Sequence, residues 1–274
     1  MIKFSVSLVE FVLATFIPVY VGMVVITYLQ TKFRISLRYL SAFALGLMFW
    51  FFFDTMNDAV QLDVNSGYDF ATSTTHSWLL AVFVFGFLVI GLSSTYFLSR
   101  TKGKPVDILQ IFITGIIVAI GMGFHGVGEG IEFGGLSAGT QATTILDAIG
   151  GIGGGVAYVI HKFLESSIVA ITYLGISIDD DEAFRNKLSN IVVFGLAFGI
   201  PSVLGEIAGY FVQIDSSYFF ALGVGAALAV SLLIVFSIFR TSQNRALAYS
   251  QWVWTMLAVF IGFLCLYGAA LFHS

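Results

Sequence analysis

Runs of apolar residues long enough to cross a bilayer recur along this chain, and nothing else in it constrains the fold as strongly. A helical crossing needs about 20 mostly apolar residues. On that criterion the 274-residue sequence divides into eight spans, 5–29, 37–61, 77–99, 107–132, 141–174, 188–213, 217–239 and 247–272. The fifth is longer than one crossing requires, so its first turns are expected outside the hydrocarbon or tilted. The runs are continuous rather than alternating, and too long for barrel strands, which excludes a transmembrane β-barrel. Only 10% of the residues are charged and the mean hydropathy is +0.96, whereas a soluble domain carries about 25% charged residues. The expectation is an all-α polytopic membrane protein, residues 1–274 forming one transmembrane domain. The opening stretch "MIKFSVSLVEFVLATFIPVYVG" runs directly into the first span with Glu10 inside it and shows no small-residue cleavage pattern. The lone Cys265 excludes an intramolecular disulfide and a cysteine metal site.

Basic residues set the expected orientation. Lys32, Arg34 and Arg38 lie between spans one and two; Arg100, Lys102 and Lys104 between three and four; Arg185 and Lys187 between five and six; Arg240 and Arg245 between seven and eight. All of these fall on one side; Lys3 and Lys162 are the exceptions. That side is read as cytoplasmic, which puts both termini outside. The opposite loops carry Asp63, Asp69 and Asp215 and no basic residue. The most polar loop, "GISIDDDEAFRNKL", reads either as a solvated turn with a helix start that favours acids or as a cation-collecting patch. The "GGIGGG" of 150–155 follows no strand and is no phosphate loop; it suits close helix packing or a compliant segment.

Against this background the charges at membrane depth stand out. A charged side chain there costs about 2.5–3.5 kcal/mol on insertion scales and is kept where it faces a cavity, a partner or an ion. Span two holds Asp54 and Asp58; span four, His125, Glu129 and Glu132; span five, Asp147, His161, Lys162 and Glu165; span six, Glu206. Three pairs are four residues apart: Asp54/Asp58, His125/Glu129 and His161/Glu165. That spacing stacks two side chains on one helix face. Two facing helices, each offering an imidazole and a carboxylate, supply four ligands, a set suited to zinc or to divalent iron, manganese or cadmium. The alternative for each pair is a structural hydrogen bond between imidazole and carboxylate.

At these residues the chain resembles the Zrt/Irt-like (ZIP) family of divalent-metal transporters. That family has eight transmembrane helices, a motif like HNxPEG in its fourth and one like HExPEG in its fifth. The corresponding stretches here are "HGVGEG" (125–130) and "HKFLES" (161–166). Asp54/Asp58 fits an acidic pair in the second helix, and "IPSVLGEIAG" (200–209) is similar to the family's Pro/Gly-containing sixth helix. The resemblance implies a metal site of His125, Glu129, His161 and Glu165, an outer entrance near Asp54 and Asp58, and transport by one helix group sliding against another. The chain departs from the pattern at several positions. Gly128 and Leu164 stand where the motifs have proline, Gly126 and Lys162 where a second metal would find ligands, and Ile200 where the sixth helix has an acid. The family's His-rich cytoplasmic loop is absent from "RTKGKPVD".

These departures lead to an expectation of one metal, not two. Lys162 either substitutes for the second cation, holding Glu129 and Glu165 ionised, or snorkels to the interface. The expected activity is a carrier that moves a divalent transition metal toward the cytoplasm and is not an enzyme. Asp54 and Asp58, with Asp147 or Glu132, would form its outer funnel, and Glu206 would take the ion next or relay a proton. The expected partners are the lipid bilayer, of a cell membrane, and the metal ion as substrate. No organic cofactor and no nucleic acid is expected, and a homodimer is left open. The competing readings are a ZIP-like protein without transport activity, a haem protein with His125 and His161 as axial ligands, and a hydrolase using metal-activated water.

Overall fold

The computed structural model describes residues 2–60, 74–99, 108–139, 151–176, 184–240 and 249–270. Among the described residues the protein is all-helical. Its helices are α1 (Phe4–Phe33), α2 (Leu37–Val60), α3 (Thr74–Ser99), α4 (Ile108–Gly139), α5 (Gly151–Ile176), α6 (Phe184–Phe211), α7 (Ser217–Arg240) and α8 (Tyr249–Ala270). Seven are long and apolar enough to cross a membrane, and the described apolar part of α2 is Leu37–Phe53. In lipid, every backbone polar group needs an internal partner, which a continuous helix supplies. Hydroxyl side chains are accommodated in the same way: Thr27, Thr114, Thr172 and Thr255 each donate to the carbonyl four residues earlier, at 2.7–2.8 Å. The helix α1 ends where Arg34 turns into the left-handed region (φ 50°, ψ 39°).

Two boundaries differ from the sequence expectation. The helix α4 continues seven residues past 132, to Gly139. Its extension "FGGLSAG" is poor in helix formers, but it is held by packing: a Cβ on Gly134 would meet the backbone of Glu206, Gly209 and Tyr210. The helix α5 begins at Gly151, whose φ of +80° is easy only for glycine. Residues 141–150 of the expected fifth span lie outside the described residues.

What organises the bundle is a set of four close helix pairs, none of them consecutive in the chain. The α1–α5 pair meets where Gly22 faces Phe163 and Ser166 and where Thr15 hydrogen-bonds Tyr158. The α4–α6 pair meets where Gly126, Gly130 and Gly134 face Ser202, Glu206 and Tyr210. Gly46 and Gly262 join α2 to α8, and Gly86 and Gly225 join α3 to α7. In each pair residue numbers rise together along the contact, so the partners run parallel. Small residues let the backbones approach, which is how helices gain packing energy where lipid is as apolar as leucine. Cross-links then tie α1, α4, α5 and α6 into one group. Tyr20 Oη donates to the Val192 carbonyl (3.2 Å), and the rings of Phe16 and Tyr20 cover Gly199 and Gly195. The helices α2, α3, α7 and α8 form the other group, with Trp50 edge-on to Phe263 and Tyr267. Between the groups, Phe220 of α7 lies against Gly128, and Gly223 lies against the backbone of His125.

Candidate metal centre

The inter-group contact at His125 is also where the membrane-depth charges meet. The unbroken helix α4 presents His125 and Glu129 one turn apart, and α5 presents His161 and Glu165 in the same way. The two faces oppose each other. His125 Nε2 stands 3.3 Å from Glu129 Oε1 and 3.5 Å from Glu165 Oε1, and His161 Nε2 stands 3.1 Å from Glu165 Oε1 and 3.8 Å from Glu129 Oε1. One ligand atom from each residue lies within 4.8 Å of all the others. Zinc bonds of about 2.0–2.2 Å give a tetrahedron with edges of about 3.3–3.6 Å, close to the four nitrogen–oxygen separations. His125 Nε2, His161 Nε2 and Glu165 Oε1 are buried and face one another and Glu129.

Lys162 sits at the opposite edge of the carboxylates. Its ammonium pairs with Glu129 Oε2 and with Glu165 Oε2, the latter at 2.6 Å, and the side chain is fully buried. It does not snorkel. The rings of Tyr158 and Phe198 stand 5.7 and 5.5 Å from the ammonium, within cation–π range. Phe51 meets the His125 ring edge-on (centroids 4.7 Å), and Phe220 lies 5.3 Å from it. These rings wall the centre with apolar surface, and low dielectric strengthens every charge interaction within it. Nothing in the sequence marks Phe51, Tyr158, Phe198 or Phe220 as part of the centre. In a chain with 29 Phe and 11 Tyr, an aromatic residue in a span carries no signal of its own.

Apolar side chains seal one end of the centre. Toward the end where α2, α4 and α6 begin, the next turns contribute Leu47, Met48, Val118, Met122, Ile168 and Phe194, each at most 1% exposed. The ligand side chains that retain exposure are His161 (11%) and Glu129 (16%).

The other expected residues fall elsewhere. Glu206 is fully buried, but it accepts a hydrogen bond from Ser7 Oγ (2.8 Å) at the start of α1 and is not part of the cluster. It lies level with Gly130 and Gly134, toward the end where Ile2 N meets the Ser137 carbonyl and Tyr210 Oη meets the Ile2 carbonyl. Glu206 thus lies on the N-terminal side of the cluster. Glu132 is exposed and accepts a bond from Ser216 Oγ (2.9 Å), lining a cavity of about 610 Å³ with Ile131, Leu136, Gln213 and Ile214. It is not in the cluster although it shares the helix. Asp147, and the side chains of Asp54 and Asp58, lie outside the described residues. Ser7→Ala should lower stability by about 1–3 kcal/mol, because it leaves a buried carboxylate without its donor. Thermal unfolding of the purified variant in detergent checks this, and an unchanged midpoint would remove the Ser7–Glu206 bond from the list of stabilising contacts.

Compared by sequence, the chain matches no protein-family profile and no curated protein.

Proposed function

We propose that this protein is a carrier for a divalent transition metal, with its substrate site between α4 and α5, and that it is a divergent ZIP-like transporter. The observation that carries this reading is the convergence of His125, Glu129, His161 and Glu165 on one buried volume, with one ligand atom of each within 4.8 Å of all the others. The resemblance in spans four and five supports it. So do the two helix groups, because the centre lies at their boundary, where a relative shift would open and close it. Entry from the end that carries the chain's N-terminus fits the acidic loops of that side, with Asp63, Asp69 and Asp215 and no basic residue. On the basic-residue argument that end is non-cytoplasmic, and release would require the apolar layer around Leu47, Met122 and Ile168 to part. A haem between His125 and His161 has less support, because both carboxylates occupy the space that the macrocycle would need.

The test is zinc, iron and manganese uptake by liposomes containing the purified protein, driven by a metal gradient. Uptake above empty liposomes that disappears in Glu129→Gln supports the reading; no uptake of any of the three ions overturns it. Binding should also depend on pH. Metal ligation needs neutral imidazoles and ionised carboxylates, so protons compete. Zinc affinity is expected to fall as pH is lowered, because each proton taken up by a ligand must be displaced by the metal. Titration at fixed ionic strength reads this directly, and a flat profile would exclude His125 and His161 as ligands.

A further inference from the structure

Each carboxylate of the centre is divided between two neighbours. The Oε1 atoms of Glu129 and Glu165 face the two imidazoles, and the Oε2 atoms face Lys162. The pair thus has two cation positions on opposite edges. One is lined by nitrogen and oxygen ligands and suits a metal ion. The other holds an ammonium that belongs to the chain. The Lys162 side chain has little freedom to leave it, being fully buried, flanked by Tyr158 and Phe198, and three residues before Glu165 on the same helix.

We propose that Lys162 is a covalently attached second cation, which limits the centre to one metal ion and loosens its hold on that ion enough for release. This rests on the metal site proposed above. With the ammonium present, two carboxylates share one resident positive charge, and an arriving divalent ion meets a shallower well than two bare carboxylates would offer. A transport site must bind firmly enough to admit an ion and weakly enough to let it go. The ammonium moves the balance toward release, and it spares the empty centre the cost of two unpaired buried carboxylates.

The experiment uses the full chain purified in detergent at one neutral pH, with zinc as the probe. Elemental analysis after desalting gives stoichiometry, and capture by a fluorescent chelator gives the release rate. Wild type should hold about one ion. Lys162→Met should hold one ion about tenfold more tightly or better and release it correspondingly more slowly, since a like charge close by in a dry site has gone. Lys162→Glu should hold two. Lys162→Arg, which keeps the charge, should stay near wild type and guards against reading a packing defect as an electrostatic one. Unchanged affinity and release in Lys162→Met, or one ion in a folded Lys162→Glu protein, overturns the proposal while leaving the metal site intact. An Arg variant that behaves like Met shows that shape, not charge, matters, and overturns it too. Failure of wild type to bind zinc removes the underlying site as well, and so is told apart from the other outcomes.

Discussion

Purified His161→Ala/Glu165→Ala protein should contain no transition metal under conditions in which wild type carries about one ion per chain, with apparent zinc affinity lower by about 100-fold or more. Changing a group that merely orients a ligand already costs 10–100-fold, and here two of the four ligands themselves go, both from α5. What remains, His125 and Glu129, is a single face of α4 that cannot enclose an ion. The two side chains touch Glu129, His125 and Lys162, so their loss also leaves Lys162 paired with Glu129 alone among the cluster's carboxylates. That pair neutralises the remaining acid and makes partial rescue of binding harder still. Elemental analysis of both proteins after zinc incubation is the measurement, with a size-exclusion profile to show that the variant folds. Equal zinc in the two proteins, or none in either, would reduce the two His/Glu pairs to structural features of the bundle.

Much of this site could be read from the sequence, because charge is scarce there. Twelve basic and sixteen acidic residues in 274 make any charged residue inside a span conspicuous, and a spacing of four fixes a shared face without knowledge of the fold. The pairing of α4 with α5 across the centre follows from the same logic, since neither ligand pair is complete alone. The positions of the helices were legible for a similar reason, and six of the eight spans agree with the structure to within a few residues at both ends. Which faces pack was not legible. These helices are apolar on all sides, so no polar stripe separates the lipid face from the core, and the 3.6-residue periodicity that marks a soluble helix is absent. The marks that do separate them are small residues, as at Gly126, Gly130 and Gly134, and they show where a backbone approaches but not which one. Nothing in the chain says that the partner of α4 is α6 and not α5. Glu206 illustrates the consequence. Its depth in the span was readable, but its direction, toward Ser7 of α1 and not toward the cluster, depended on that unread pairing. Lys162 is the complementary case: snorkelling and ion pairing were both open to it until the burial of its ammonium was known.

The α4–α6 contact should be the most fragile part of the fold, and a graded series of alanines along α4 should show it. Gly130→Ala is expected to destabilise by more than the usual 1–3 kcal/mol of an overpacked core. The new Cβ would overlap the Ser202 carbonyl and stand 2.6 Å from Glu206 N and 3.1 Å from Gly205 C. All are backbone atoms of a continuous helix, so the only relief is to separate the helices. Gly126→Ala should cost less, because its nearest obstacle is the Ser202 hydroxyl, which can rotate away. Gly139→Ala, with nothing within 4 Å, should be neutral or slightly stabilising, since alanine is the better helix former. Thermal unfolding of the three variants gives the order, and equal midpoints for Gly130→Ala and Gly139→Ala would contradict the close approach. Gly130→Ala should also lose zinc, because Glu129 is its neighbour in sequence and α4 must move for the methyl to fit. The same geometry bears on the stoichiometry. In the resemblance to the ZIP family, position 126 is one of the two that would offer a second ion a ligand, and any side chain there longer than alanine's would run into Ser202. Tight α4–α6 packing therefore keeps position 126 from offering a ligand, which leaves position 162 as the one of the two where a ligand for a second ion can be introduced.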